Sequence, residues 1–164
     1  MIKDIEQWKK DILFYGHIIQ DDDVTVEPDE AEKRFNKYIQ LIDCVEGAED
    51  IEIAQYLIKS IQSQDDYGAY QSTMNKIMFD FSPQVFSTAL INELSDLINR
   101  QPDWAGDFLS SIADFKGTEN ENILQTFNNE LKSSKVNHKS KIIDFIQKEE
   151  KDGWLEDKKN VIKY

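Results

Sequence analysis

The sequence predicts an all-α fold. Three observations carry that prediction. Apolar residues recur at steps of three and four along almost the whole chain. All three prolines, Pro28, Pro83 and Pro102, stand where a helix would begin. Only Val24-Thr25-Val26 has the β-branched character of a strand, and it is three residues long.

The elements follow in order. Ile5, Trp8, Ile12, Tyr15 and Ile19 step by alternating threes and fours and make one helix face. Phe35, Tyr38, Leu41, Ile42 and Val45 form a second set, and Ile53, Leu57, Ile58 and Ile61 a third. Tyr67, Tyr70, Met74, Ile77, Met78 and Phe81 give a fourth. Val85, Phe86, Ala89, Leu90, Leu94, Leu97 and Ile98 give a fifth. Trp104, Phe108, Leu109, Ile112 and Phe115 follow, then Ile123, Leu124, Phe127 and Leu131, then Ile142, Ile143 and Ile146. Trp154, Leu155, Val161 and Ile162 suggest a short ninth segment. Ser82 is a candidate N-cap before Pro83, and Thr118 and Glu121 have capping-box spacing. Gly47 and Gly117 stand where helices should stop. Gly68 and Gly106 fall just inside expected helices, where close helix packing is the plainest reason for them.

The chain also repeats itself. Asp66-Tyr67 opens a frame that Asn92-Glu93-Leu94 closes, and 37 residues later Asp103-Trp104 and Asn129-Glu130-Leu131 do the same. At that offset Asp29, Asp66 and Asp103 align, as do Leu57, Leu94 and Leu131, and Ile53, Leu90 and Phe127. Helical repeats have periods of this order, each unit burying its apolar face against the next. The expectation is one all-helical domain over 1–164. It takes the form either of stacked antiparallel hairpins in a degenerate HEAT-like α-solenoid or of an irregular helical bundle. The hairpin units would be 29–65, 66–102 and 103–138, with a basic cap over 139–164. The aligned aspartates would then favour helix N-termini through the dipole.

A chain of 164 residues can bury a sizeable core without staples. Cys44 is the only cysteine and reads as a small buried hydrophobe. The N-terminus lacks the basic start and apolar core of a secretory signal, and no stretch approaches the roughly 18 apolar residues of a membrane span. These features lead us to expect a cytoplasmic protein with no membrane association.

The formal charge is −13, unevenly spread. Residues 1–131 carry 10 Lys plus Arg against 26 Asp plus Glu, and residues 132–164 carry 9 against 6. An acidic field of this kind repels phosphate backbones, so a basic protein is a better partner than nucleic acid. It also serves solubility, which requires no partner at all.

Chemistry-bearing motifs are absent. There is no Gly-rich phosphate loop and no Gly-x-Ser-x-Gly elbow. His17 and His138 give no zinc spacing, and His17 with Asp21 is more simply a surface histidine near an acid than a metal pair. Asp21-Asp22-Asp23 lacks the glycine and terminal glutamate of a calcium loop. No catalytic residue, metal or cofactor is expected. Two candidate partner-binding features remain. Asp21, Asp22, Asp23, Glu27, Asp29 and Glu30 put six carboxylates within ten residues, either a solvated loop or a docking site for a basic partner. Tyr67, Tyr70, Asp103 and Trp104 set aromatics beside carboxylates, as interface anchors do, although their helical spacing suits core packing as well.

In this character, with the acidic run from Asp21 to Glu30 and Arg100-Gln101-Pro102-Asp103-Trp104 opening a hairpin, the chain resembles the bacterial immunity proteins of contact-dependent and polymorphic toxin systems. That resemblance implies a one-to-one inhibitor that binds a cognate toxin domain, often a basic nuclease, and occludes its active site. A helical-repeat scaffold or regulatory adaptor is the alternative.

Overall fold

Eight α-helices and one short 3-10 turn make up the regular structure of the computed structural model, which describes residues 1–20, 23–63 and 68–164. No strand occurs among the described residues. The chain divides into two compact units, Met1–Phe81 and Ser82–Tyr164. The division falls inside the expected hairpin 66–102, so the 37-residue register is not the register of the units.

The first unit contains α1 (Ile5–Tyr15), α2 (Pro28–Asp43), α3 (Ile51–Lys59) and α4 (Ala69–Asp80). α1 and α4 each pack on both α2 and α3. The helices therefore run α1, α2, α4, α3 around a shared core of Trp8, Ile12, Tyr38, Leu57, Ile58, Met74 and Ile77. α2 and α3, the expected hairpin partners, are each packed chiefly on α1 and α4. This is an irregular bundle, with no stack of hairpins.

Local chemistry sets the boundaries. The Asp4 carboxylate caps α1 by accepting the Gln7 N–H at 3.0 Å. α1 then stops at Tyr15 with Gly16 as its cap, four residues short of Ile19, the last position of the expected face. Gly16 lies so close to the Ser60 carbonyl that a Cβ would overlap it. Trp8 and Ile12 are buried, whereas Ile5 is exposed. Val24-Thr25-Val26 forms a turn: the Asp23 carboxylate accepts the Thr25 N–H at 3.0 Å and its hydroxyl at 2.5 Å. Such a local bond outcompetes extended structure for an isolated β-branched triplet.

Buried hydroxyls tie this unit together. The Tyr38 hydroxyl bonds Ser60 Oγ and Thr73 Oγ1, both at 2.8 Å. The Tyr70 hydroxyl donates to the Gly16 carbonyl at 2.5 Å and accepts the N–H groups of Gln62 and Ser63 at 3.1 and 2.9 Å. Gly68 does not serve close packing, as its sequence position suggested. Among the described residues nothing lies within 4 Å of where its Cβ would sit, and its φ of 89° is a left-handed conformation that glycine adopts at no steric cost.

The second unit contains α5 (Pro83–Arg100), α6 (Pro102–Asp114), α7 (Glu121–Ser133), α8 (Lys139–Asp152) and the 3-10 turn Glu156–Lys158. α5 is its centre and packs on α6, α7 and α8. Leu90, Leu94, Phe127 and Leu131, the aligned positions of the echo, are fully buried, as is Leu57 in the first unit. The three prolines all occupy the first turns of their helices, and Ser82 Oγ accepts the Val85 N–H at 3.3 Å. The expected capping box at Thr118 and Glu121 does not form. Thr118 Oγ1 instead accepts the Asn120 N–H and donates to the Phe115 carbonyl, which closes the α6–α7 turn and leaves Asn120 as the cap residue.

The basic C-terminal segment is docked within its own unit. Lys158 bonds Ser110 Oγ at 2.7 Å and pairs with Asp114 at 2.8 Å. Lys141 bonds Asn99 and the Ser95 carbonyl. The Asn128 side chain bonds the Val161 carbonyl and the Lys163 N–H, while Leu155 and Ile162 are buried. The expected ninth helix is only the 3-10 turn, and its apolar residues anchor an irregular tail.

Candidate functional site

The acidic run lies at the entry to α2. Asp21 and Asp22 fall outside the described residues, as does Tyr67. Asp23 is half-buried, and the Thr25 hydroxyl, then the Thr25 N–H, hold its carboxyl below the usual carboxylate range, with His17 adding a smaller attraction. Glu27 precedes α2, and Asp29 and Glu30 occupy its first turn, where the free N–H groups favour negative charge. Glu27, Asp29, Glu30 and Glu32 are all exposed. Among these four only Glu30 has an ion-pair partner among the described residues, Arg34 at 3.3 Å.

The same guanidinium lies 5.1 Å above the ring of Phe14 on α1, which is 57% exposed. The α1–α2 surface thus sets an exposed aromatic beside the acidic turn. Sequence reading missed Phe14. The available signal was that it falls off the Trp8–Ile12 face, which leaves a large apolar residue unaccounted for.

The second expected cluster draws on both units: Tyr70 belongs to the first, Asp103 and Trp104 to the second. Tyr70 is fully buried with its hydroxyl saturated, and it presents nothing to a partner. Its aromatic character serves the core, as the helical spacing allowed. Asp103 is exposed and Trp104 half-buried in the first turn of α6. What Asp103 meets is the end of α8. Pro102 and Asp103 form one side of a groove of about 420 Å³, and Lys148, Glu149, Asp152 and the Gly153-Trp154 turn form the other.

Glu149 is buried there. One of its carboxylate oxygens accepts the Trp154 N–H at 3.0 Å and the other takes the Lys148 ammonium at 3.1 Å. The Trp154 indole rests on Gly106, where a Cβ would overlap its ring, so Gly106 is the close-packed glycine that the sequence suggested. Sequence could show Glu149 and Asp152 three apart on one helix, but nothing in it set them beside Asp103.

Among the described residues no group of three or more His, Cys, Asp or Glu is placed to hold a metal ion. Cys44 is half-buried beside Trp8 and Leu41 in a hollow of about 240 Å³. Another hollow of about 300 Å³ lies against Asn92, Lys135 and His138. No helix among the described residues is long and apolar enough to cross a membrane.

Charge follows the two units. Residues 1–81 carry 8 Lys plus Arg against 18 Asp plus Glu, a net of −10, whereas residues 82–164 carry 11 against 14, a net of −3. No family model matches the chain, and neither does any curated protein or any solved structure.

Proposed function

We propose that the protein acts by binding, as an immunity-type inhibitor that captures a basic toxin domain, a nuclease in the first instance, and occludes its active site inside the cytoplasm. One observation supports this reading above the others. The first unit concentrates most of the negative charge, and at the α2 entry Glu27, Asp29 and Glu32 stand exposed with no ion-pair partner among the described residues. A surface of exposed carboxylates in a unit of net negative charge steers a basic protein into encounter and repels nucleic acid. Beside it Phe14 offers the apolar contact that charge alone lacks.

The test is affinity capture from native-host lysate at moderate salt, followed by reconstitution with whatever domain is retained. The expected outcome is a single basic domain held at one-to-one stoichiometry, whose toxic activity falls as the complex forms. Several unrelated host proteins, or a partner whose activity the complex leaves intact, would overturn the inhibitor reading in favour of an interaction scaffold.

A further inference from the structure

We propose that the groove between the start of α6 and the end of α8 is a receptor for a single arginine side chain of a protein partner. This rests on the reading of a basic protein partner and names where one of its side chains is held.

The groove has the parts that guanidinium recognition needs. Its wall is Trp154, whose indole is pinned on Gly106 and which remains 49% exposed. A flat indole face attracts a cation through its quadrupole, and the planar guanidinium stacks on it better than an ammonium does. Its floor is Glu149, only 4% exposed and fixed in place by the Trp154 N–H at 3.0 Å. Its rims carry Asp103 from α6 and Asp152 from α8, both exposed. The negative end of the α8 dipole points the same way.

Among the described residues the only cation lining the groove is Lys148, so the lining carboxylates there exceed the positive charge by two. Lys148 shows what the groove attracts. Its ammonium is held above the usual lysine range first by the hydrogen bond to Glu149, with Asp152 and Asp103 adding to the attraction. Yet its side chain is 70% exposed, so it is a tethered, readily displaced occupant. The Lys148 ammonium lies 5.8 Å over the Phe145 ring and leaves the Trp154 face to the incoming side chain, so an arginine would displace the ammonium from Glu149, stack on Trp154 and reach the carboxylates as a planar fork. The volume of about 420 Å³ suits one such side chain with its water.

The experiment uses the full chain, labelled with nitrogen-15, and two probes: acetyl-Gly-Arg-Gly-amide and its neutral citrulline counterpart. The Trp154 indole N–H resonance, assigned with a Trp154→Phe variant, is followed to about 20 mM peptide, which covers millimolar affinity. The arginine peptide should shift it saturably and the citrulline peptide should not. The Asp103→Asn/Asp152→Asn double variant, whose sites are exposed and whose fold is checked by circular dichroism, should bind at least about fivefold more weakly. Lys148→Gln should bind about twofold more tightly, because the tethered competitor is gone. A linear shift without saturation, an equal response to citrulline, unchanged affinity in the double variant, or no gain in Lys148→Gln would each overturn the proposal. A lysate capture that retains a basic toxin while this titration stays flat removes the groove and keeps the inhibitor. The reverse pair of results keeps the groove and removes the inhibitor.

Discussion

Tyr70 carries more of the first unit than its apolar bulk accounts for. Its hydroxyl joins the end of α1 to the segment after α3 through three backbone groups. Tyr70→Phe keeps the ring and leaves those groups short of a partner. It should cost about 1–3 kcal/mol in urea denaturation, and a loss within error of zero would mean that water replaces the hydroxyl. Gly106→Ala forces a Cβ into the Trp154 indole. It should destabilise by about 1–3 kcal/mol and move the Trp154 resonance, since a packed ring must shift.

Lys9 of α1 illustrates a charge that folding stabilises. Glu52 of α3 at 2.8 Å, then Glu6 at 2.9 Å, hold its ammonium above the usual lysine range against the opposing effect of burial. A folded-state pKa above the unfolded value gives stability that is complete below the unfolded value and fades as pH rises through the folded one. The stability gap between wild type and Lys9→Gln should therefore hold constant from about pH 7 to about pH 10 and shrink only above that. Denaturation curves across this range check it, and a gap that already shrinks below about pH 9 would contradict it.

At the scale of elements, helix starts were readable because the chemistry that makes them is local. Pro83 has no N–H to leave unpaired, and Ser82 needs only Val85 three residues on. Ser82→Ala should cost about 1 kcal/mol of thermal stability. Thr118 has an equally good pattern and fails, because its hydroxyl is already engaged by Asn120 and Phe115 in the turn. The end of α1 was unreadable for a different reason: the Ser60 carbonyl that crowds Gly16 comes from the cap of α3, far along the chain. The aligned leucines were readable as core. Leu94→Ala and Leu131→Ala should each cost about 2–5 kcal/mol, and a loss below about 1 kcal/mol at either would deny it a buried role.

At the scale of the whole molecule, charge is the property a partner meets first. Converting Glu27, Asp29 and Glu30 to Gln, Asn and Gln should slow association with a basic partner by about tenfold at low salt. It should also flatten the salt dependence and leave dissociation nearly unchanged. Stopped-flow rates from about 50 to about 300 mM salt would show this, since screening lengths shorten over that range. Unchanged association rates would remove the α2 entry from the interface.

The sequence by itself determined the helical class, the three proline-led helix starts and most of the apolar faces, because each depends on residues within a turn or two of one another. It also determined the negative charge, which is a sum and needs no geometry. Tertiary structure alone decided the rest. It divided the chain at Phe81 and Ser82 rather than at the 37-residue register, because burial depends on which faces meet and not on which faces look alike. It withdrew Tyr70 from the surface by saturating its hydroxyl. It brought Asp103 to Glu149, Asp152 and Trp154, residues about 50 positions away whose shared groove exists only because α8 returns to the start of α6.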